Sequence, residues 1–352
     1  MREYDTAEVA RDLPSWGEIL RRAATEMADE QVASPRVDAE LIASHVIGTD
    51  RVRLGLYLRN RPNPEQHKAF WQAVSLRRRR IPLQYVLGKA WFYGLELKIE
   101  PGVFIPRPET EALAQAVIDY LRSLRNEGHQ RLVGEAQPAD SLARPGDRAA
   151  RPFSRHVLDL CTGSGAVALA VASQVPFAKV VAVDISEEAA RLAYCNAFRL
   201  GLSDRVSVVQ ADMDTALGPL ADGLFDVVCA NPPYVPTGDI PLLDPEVSVF
   251  EPPIALDGGG DGLARVAAVL VAAARLLRDD GMVAVEIDDR CGEILRSDPG
   301  WGDFFDSSGF STVEFLKDLS GRERVLVARK TPMLDAASGF REKLGQKRLA
   351  RR

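Results

Sequence analysis

The stretch "HVLDLCTGSG", His156 to Gly165, is a short apolar run that carries one acid, Asp159, and closes on a glycine pair. Such a run reads as a buried strand that ends in a tight turn and passes straight into a helix. Four further runs of the same kind follow it: "KVVAVDI" (179–185), "RVSVVQA" (205–211), "FDVVCA" (225–230) and "MVAVEI" (282–287). Helix-length segments separate them. Strands that are apolar on both faces and alternate with helices belong to a parallel sheet covered on both sides. The expected fold is therefore α/β: a doubly wound, mostly parallel, Rossmann-like sheet.

Toward the N-terminus the pattern changes. "SWGEILRRAATEMA" has apolar residues at helical spacing, and "SPRVDAELIASHVIG" opens with Ser34 as N-cap and Pro35 at the first helical position. Residues 1–80 are thus expected to form a small helical domain. Its end, "LRRRR" at 76–80, reads as a solvated helix terminus whose cations offset the helix dipole; its alternative is a positive patch for an acidic partner. Residues 81–106 combine β-rich alternation with turn residues, which suggests a β-hairpin linker. The doubly wound domain is expected to run from 107 to 330. Within it, 125–155 is rich in Pro, Gly, Ala and charge and reads as a flexible surface insertion without chemistry. The stretch 331–352 has six basic and two acidic side chains and reads as a basic tail that frays in solvent.

Composition excludes some functions. With 352 residues, 46% of them hydrophobic, the chain can bury a large core and a smaller one. A net charge of −6 argues against a protein that holds nucleic acid mainly through phosphates, so no stable nucleic-acid partner is expected. Cys161, Cys195, Cys229 and Cys291 are scattered, without a CxxC pair or a histidine cluster, so no metal site is expected. The charged start "MREYDTAEVARD" does not resemble a signal peptide, and the apolar run "VAAVLVAAA" (266–274) is half a membrane span. The expectation is a soluble cytoplasmic protein without a membrane partner, working as a monomer.

The motifs define the chemistry. In "DLCTGSG", Gly163 and Gly165 allow a tight turn and close approach of backbone to a ligand, and the next helix begins with exposed N–H groups. The following strand ends at Asp184, about 20 residues on, where an acid accepts the ribose hydroxyl hydrogens of a nucleoside cofactor. Asp184 could instead cap the next helix, but Ser186 serves that purpose equally well. After the fourth strand comes "NPPY", Asn231 to Tyr234. Pro232 and Pro233 end any ladder and hold the backbone rigid. The motif offers an amide, a fixed carbonyl and an aromatic face, and no acid or base for hydride transfer. An amide or aniline-type nitrogen is a poor nucleophile because its lone pair is delocalised. If the Asn231 side-chain oxygen and the Pro232 carbonyl accept its two hydrogens, the lone pair can be steered toward an electrophile, with Tyr234 stacked on the planar group.

In this order and spacing, "DLCTGSG", "VDIS" and "NPPY" resemble the S-adenosylmethionine-dependent amino methyltransferases, which include DNA adenine methylases and protein glutamine methylases. Two further stretches, "PLQYVLGKAWFYGLELKIEPGVFIPRPETEAL" (82–113) and "EVSVFEPPIALDGGGDGL" (246–263), are similar to the signatures of the peptide chain release factor glutamine N5-methyltransferases. The likeness extends from about Trp16 to Lys330. It implies a class I methyltransferase fold, S-adenosyl-L-methionine as cofactor, and methylation of the glutamine in the Gly-Gly-Gln loop of class 1 release factors, with the helical domain helping to hold that partner. By the same resemblance, Cys161, Thr162, Gly163, Ser164, Gly165, Asp184, Met213 and Asn231 contact the cofactor. Asn231, Pro232, Pro233 and Tyr234 contact the substrate, with Asn231, Pro232 and Tyr234 the catalytic members.

This sequence departs from the family pattern in two places. Cys161 stands where glycine is usual, so a positive φ there would be strained. Asp214 is polar where an apolar residue is common, and Met213 reads equally well as core filler. "FIPRPETE" is also a good helix start in any protein, with Pro108 at the first position and Glu109 and Glu111 in the first turn. Two other functions stay open: adenine N6-methylation of DNA or RNA, which needs a base-flipping surface, and an inactive cofactor-binding partner of the translation machinery.

Overall fold

The chain alternates apolar strands with helices over most of its length because its β-branched runs, buried on both faces, must be covered on both. In the computed structural model, which describes residues 13–134, 154–213, 222–318 and 320–331, this produces a seven-stranded sheet. Its strands are β3 (Arg155–Leu160), β4 (Ala178–Asp184), β5 (Val206–Gln210), β6 (Phe225–Ala230), β7 (Leu277–Glu286), β8 (Phe310–Lys317) and β9 (Glu323–Lys330). They lie in the order β5-β4-β3-β6-β7-β9-β8, and the first five are parallel. Strand β9 runs antiparallel to β7, and the edge strand β8 antiparallel to β9. A short hairpin, β1 (Lys89–Phe92) and β2 (Leu95–Lys98), precedes the sheet.

The helical front end forms for local reasons. Helix α1 (Trp16–Asp29) starts at a capping box in which Ser15 and Glu18 serve each other's orphan groups, the Ser15 N–H donating to Glu18 Oε2 at 2.8 Å. Helix α2 (Pro35–Ile47) starts with Pro35 as expected, although Ser34 makes no side-chain cap bond. Helix α3 (Pro64–Arg78) is capped by Asn63, which accepts from the Gln66 N–H at 2.7 Å. Their apolar stripes meet around Trp16, Ile19, Met27, Ile42, Phe70 and Val74, with the Trp16 and Phe70 rings edge-on at 5.5 Å.

Two compact units result. One gathers Met1–Ala90, Ile99–Gly102 and Leu242–Glu251; the other holds Trp91–Lys98, Val103–Pro241 and Pro252–Arg352. The arginine run lies in the first unit, and the structure corrects part of its reading as a solvated helix end: Arg77 and Arg80 are taken up inside the unit, whereas Arg79 is exposed. Arg77 is 5% exposed; its Nε donates to Asp38 Oδ2 at 2.7 Å and its Nη2 to Glu246 Oε1 at 2.8 Å. Arg80 grips the same Glu246 through Nε at 2.7 Å, and Arg78 pairs with Glu26 and Glu30. Arg77 is the buried member, and a buried cation must be matched, as it is here by two carboxylates.

Helix α5 (Glu111–Gly134; the five-residue Leu83–Leu87 turn is α4) continues ten residues into the stretch read as an insertion, whose remainder from 135 to 153 lies outside the described residues. The basic tail beyond 331 and Asp214 lie outside them too. Helices α6 (Ala166–Gln174), α7 (Glu187–Arg199) and α9 (Ala264–Leu276), α8 being the single turn Pro245–Ser248, cover the sheet. Among the described residues no helix is long and apolar enough to cross a membrane.

Candidate active site

The register of the parallel strands decides which residues meet. Leu160 pairs with Val183 on one side and Ala230 on the other, and Ala230 pairs with Val285. One step further along each strand, Asp184, Cys161, Asn231 and Glu286 therefore emerge side by side at the carboxyl edge. The chain order reverses between β3 and β6, and crevices at such switch points bind ligands.

On the β3 side the turn is built from backbone. The Thr162 N–H donates to the Val183 carbonyl at 3.0 Å and the Gly165 N–H to the Thr162 carbonyl at 2.9 Å. Gly165, at φ +86°, caps α6; a Cβ there would press to within 3.3 Å of the Ala193 backbone. Cys161 adopts φ +55°, so the strain foreseen for a non-glycine residue is present. The Asp184 carboxylate ties the turn to the next strand: Oδ2 accepts from the Gly163 N–H at 2.8 Å and Oδ1 from the Ser186 N–H at 3.0 Å. Burial raises its pKa, and those two amides draw it back. A carboxylate offers about four lone-pair sites, so with these amides and that of Ile185 engaged it keeps acceptor capacity for a hydroxyl. Ser186 caps α7 by accepting from the Ala189 N–H at 3.2 Å, which leaves Asp184 to the turn. Beneath them Asp159, 1% exposed, accepts from the Thr162 hydroxyl at 2.6 Å; burial pushes its carboxyl up to about 7. Met213, just past β5, is half-buried and packs against the main core cluster.

On the β6 side the loop is built from side chains. Strand β6 is buried at every residue and ends at Ala230, where the prolines stop the ladder. Asn231 Nδ2 donates to Thr110 Oγ1 at 3.3 Å. Thr110 closes the turn Pro108–Thr110 that leads into α5, so "FIPRPETE" is a helix start and reaches the site as well. The Tyr234 hydroxyl donates to Glu286 Oε1 at 3.1 Å, and burial beside that carboxyl raises the Tyr234 pKa well above its usual value. Glu286, 1% exposed, is itself pushed to about 7 by burial. The "LDGGGDGL" stretch supports Tyr234 from behind: the Val235 N–H donates to Leu256 and the Gly258 N–H to Val235, at 2.9 and 2.8 Å. A Cβ at Gly258 would lie 2.7 Å from Tyr234 Cα, and one at Gly262 would lie 2.3 Å from its carbonyl oxygen, so no larger residue fits.

The motif reading did not single out Thr110 or Glu286. Both sit in quoted stretches, "FIPRPETE" and "MVAVEI", but nothing local marks either as a neighbour of Asn231. A glutamate closing an otherwise apolar strand was the available signal, since buried acids need a partner.

A glycine turn after β3, an acid closing the neighbouring strand and a rigid amide-bearing loop after β6 thus meet at the switch point of this sheet. The methyltransferase domain family matches residues 157–243 and the PrmC N-terminal domain family matches residues 18–88. The chain is 40% identical over 316 residues to the release factor glutamine methyltransferase of Mycolicibacterium smegmatis, covering 88% of this chain and 96% of the relative. It is 36% identical to that of Streptomyces coelicolor over the same shares, and 35% identical to that of Moorella thermoacetica over 89% and 96%. The chain belongs to the release factor glutamine methyltransferase family.

Proposed function

We propose that this chain transfers the methyl group of S-adenosylmethionine to the side-chain amide nitrogen of the glutamine in the Gly-Gly-Gln loop of class 1 peptide chain release factors. The observation that carries this reading is the polarity of Asn231. Its NH2 is turned to Thr110 with one of its two hydrogens, which makes its carbonyl oxygen the acceptor for an incoming amide. With the Pro232 carbonyl, that oxygen accepts the two hydrogens of the glutamine amide, and Tyr234 gives the planar group a face to stack on. When bound, the cofactor supplies an electrophilic sulfonium methyl. The residues 161–165, with Asp184 on the ribose and Met213 beside the adenine, hold it. No base is needed before attack, because the methylated amide sheds its proton readily afterwards. Residues 1–80 help to hold the factor, 81–106 link them to the sheet, and 107–330 hold the chemistry; within the arginine run Arg77, Arg78 and Arg80 are paired with Asp38, Glu26, Glu30 and Glu246, which leaves the exposed Arg79 as its candidate for docking.

The test is incubation with methyl-labelled cofactor and either a release factor or duplex DNA. Label is expected on the factor, in the peptide that contains Gly-Gly-Gln. Label on DNA alone would replace the reading with adenine methylation, and label on neither would leave a cofactor-binding partner of the translation machinery.

A further inference from the structure

Behind the Asn231–Tyr234 loop lies a buried polar chain that the reaction as written does not use. Glu286 closes β7 with one carboxyl oxygen engaged by the Tyr234 hydroxyl, while the other, Oε2, is buried without a hydrogen-bond partner among the described residues. The hydroxyl of Thr110, itself 3% exposed, faces this carboxyl and favours its ionised form. On its far side the same hydroxyl oxygen accepts from Asn231 Nδ2.

Hydrogen-bond polarity then runs in one direction. An ionised carboxyl can only accept. The Thr110 hydroxyl is the neighbouring donor through which the unpartnered Oε2 can be satisfied, and a threonine that turns its proton there can only accept from Asn231. Asn231 must turn its NH2 inward and its carbonyl outward. We propose that Glu286 and Thr110 are positioning residues that set the direction of the Asn231 amide, so that its oxygen, and not its nitrogen, meets the substrate, while Glu286 holds the other end of the motif through Tyr234. This inference rests on the amide-methylating reading of the site given above.

The surroundings fit such a role. Around the Glu286 carboxyl, Arg324 favours the ionised form, while Glu109 opposes it and burial opposes it more; Asp288 lies near the Tyr234 end. Arg324 is shared with Asp318, its Nε lying 3.2 Å from Oδ2, so it does not neutralise Glu286 outright. With a carboxyl raised to about 7, protonation below neutral pH gives Glu286 a hydrogen of its own to donate. The relay can then reverse: Thr110 donates to the Asn231 oxygen and the NH2 faces the substrate. Turnover should rise with pH through about 7 for this reason.

The experiment compares Glu286→Gln, Thr110→Val and Thr110→Ser with the wild-type chain. In Glu286→Gln the amide NH2 can donate to Thr110 and mimic the reversed state at every pH. Turnover on the release factor is expected to drop about 10- to 100-fold in Glu286→Gln and Thr110→Val, with cofactor affinity changed by less than about threefold. Thr110→Ser should restore most of the rate. The rise through pH 7 should be absent from Glu286→Gln, and the double variant Glu286→Gln/Thr110→Val should be no slower than Thr110→Val alone. A second measurement needs no substrate: exchange of the Asn231 side-chain amide protons, assigned by their loss in Asn231→Asp, should speed up at least tenfold in both single variants. Thermal melts establish that each variant is folded. Wild-type inactivity toward the factor would overturn the substrate reading, and the exchange data would then decide the relay alone. Folded Glu286→Gln with unchanged amide exchange, or additive losses in the double variant, would overturn the relay.

Discussion

The loops that follow β3 and β6 occupy adjacent positions on one sheet edge, yet they are made in opposite ways. The first is a backbone device: Gly163 and Gly165 bend it, its own amides cross-link it, and one carboxylate from the next strand ties it down. The second is a side-chain device: prolines stiffen it, and Asn231 and Tyr234 are aimed by Thr110 and Glu286, residues 121 and 52 positions away in sequence. A cofactor that is the same at every turnover suits a turn whose geometry is written locally. An amide that must be caught in one orientation needs groups set from several directions.

Four changes break or sharpen this contrast. The largest effect is expected from Asn231→Ala, which removes the acceptor that orients the nucleophile: methyl transfer should fall by about 10³-fold or more, roughly 4 kcal/mol of barrier, while cofactor affinity shifts less than about threefold. Near wild-type turnover would mean that the β6 loop does not orient the substrate. Next comes Asp184→Ala, on the cofactor side. Calorimetric titration should show cofactor affinity about 100-fold weaker, about 2.7 kcal/mol, with turnover at saturation changed much less. Unchanged affinity would remove Asp184 from the site.

The third change concerns the buried acid under the β3 turn. Because burial raises the folded pKa of Asp159 to about 7 from an ordinary 3.8, the folded chain holds its proton to higher pH than the unfolded chain does. The resulting stability is full below about pH 4 and is lost as pH rises to about 7. Asp159→Asn keeps an acceptor for Thr162 and should make the protein more stable above pH 7, by about 1–2 kcal/mol, with a flatter dependence between pH 4 and 7 in urea titrations. The smallest effect is expected from Cys161→Gly. Releasing a left-handed non-glycine residue returns about 1–2 kcal/mol, and the added freedom of the unfolded chain takes back part of it, so a net gain of about 0.5–1 kcal/mol should appear as a melting point a few degrees higher.

The same contrast explains how far the sequence could be read. The parallel strands were plain because each carries a short β-branched run, buried on both faces in the central strands though not in the edge strand β5, and the β3 turn was plain because glycine spacing and an acid one strand later are local signals. Asn231 to Tyr234 stood out because paired prolines at a strand end are unusual. The antiparallel pair β8 and β9 was not assigned: "FSTVEFLK" is half-exposed, and "ERVLVARK", although its Val325–Ala328 stretch is buried, is not set off from it by a helix-length segment as the parallel strands are. Thr110 and Glu286 were invisible as site residues, since only the folded register brings Val285 beside Ala230 and so Glu286 beside Asn231. The arginine run misled for a related reason. Four consecutive cations near a helix end read as solvated, and the acid that claims two of them lies some 166 to 169 residues further on.

That separation bears on how the protein is made. A chain leaves the ribosome at about 5–20 residues per second, N-terminus first, so helices α1 to α3 wait on the order of 10–30 s before Glu246 is synthesised. Until then Arg77 has Asp38 but lacks its second anion, and the ten residues 242–251 that complete this unit do not exist. The first part of the chain to be born is thus among the last to be finished, and the nascent helical unit spends its early life with Arg77 on one of its two anions and with Arg80 still awaiting Glu246.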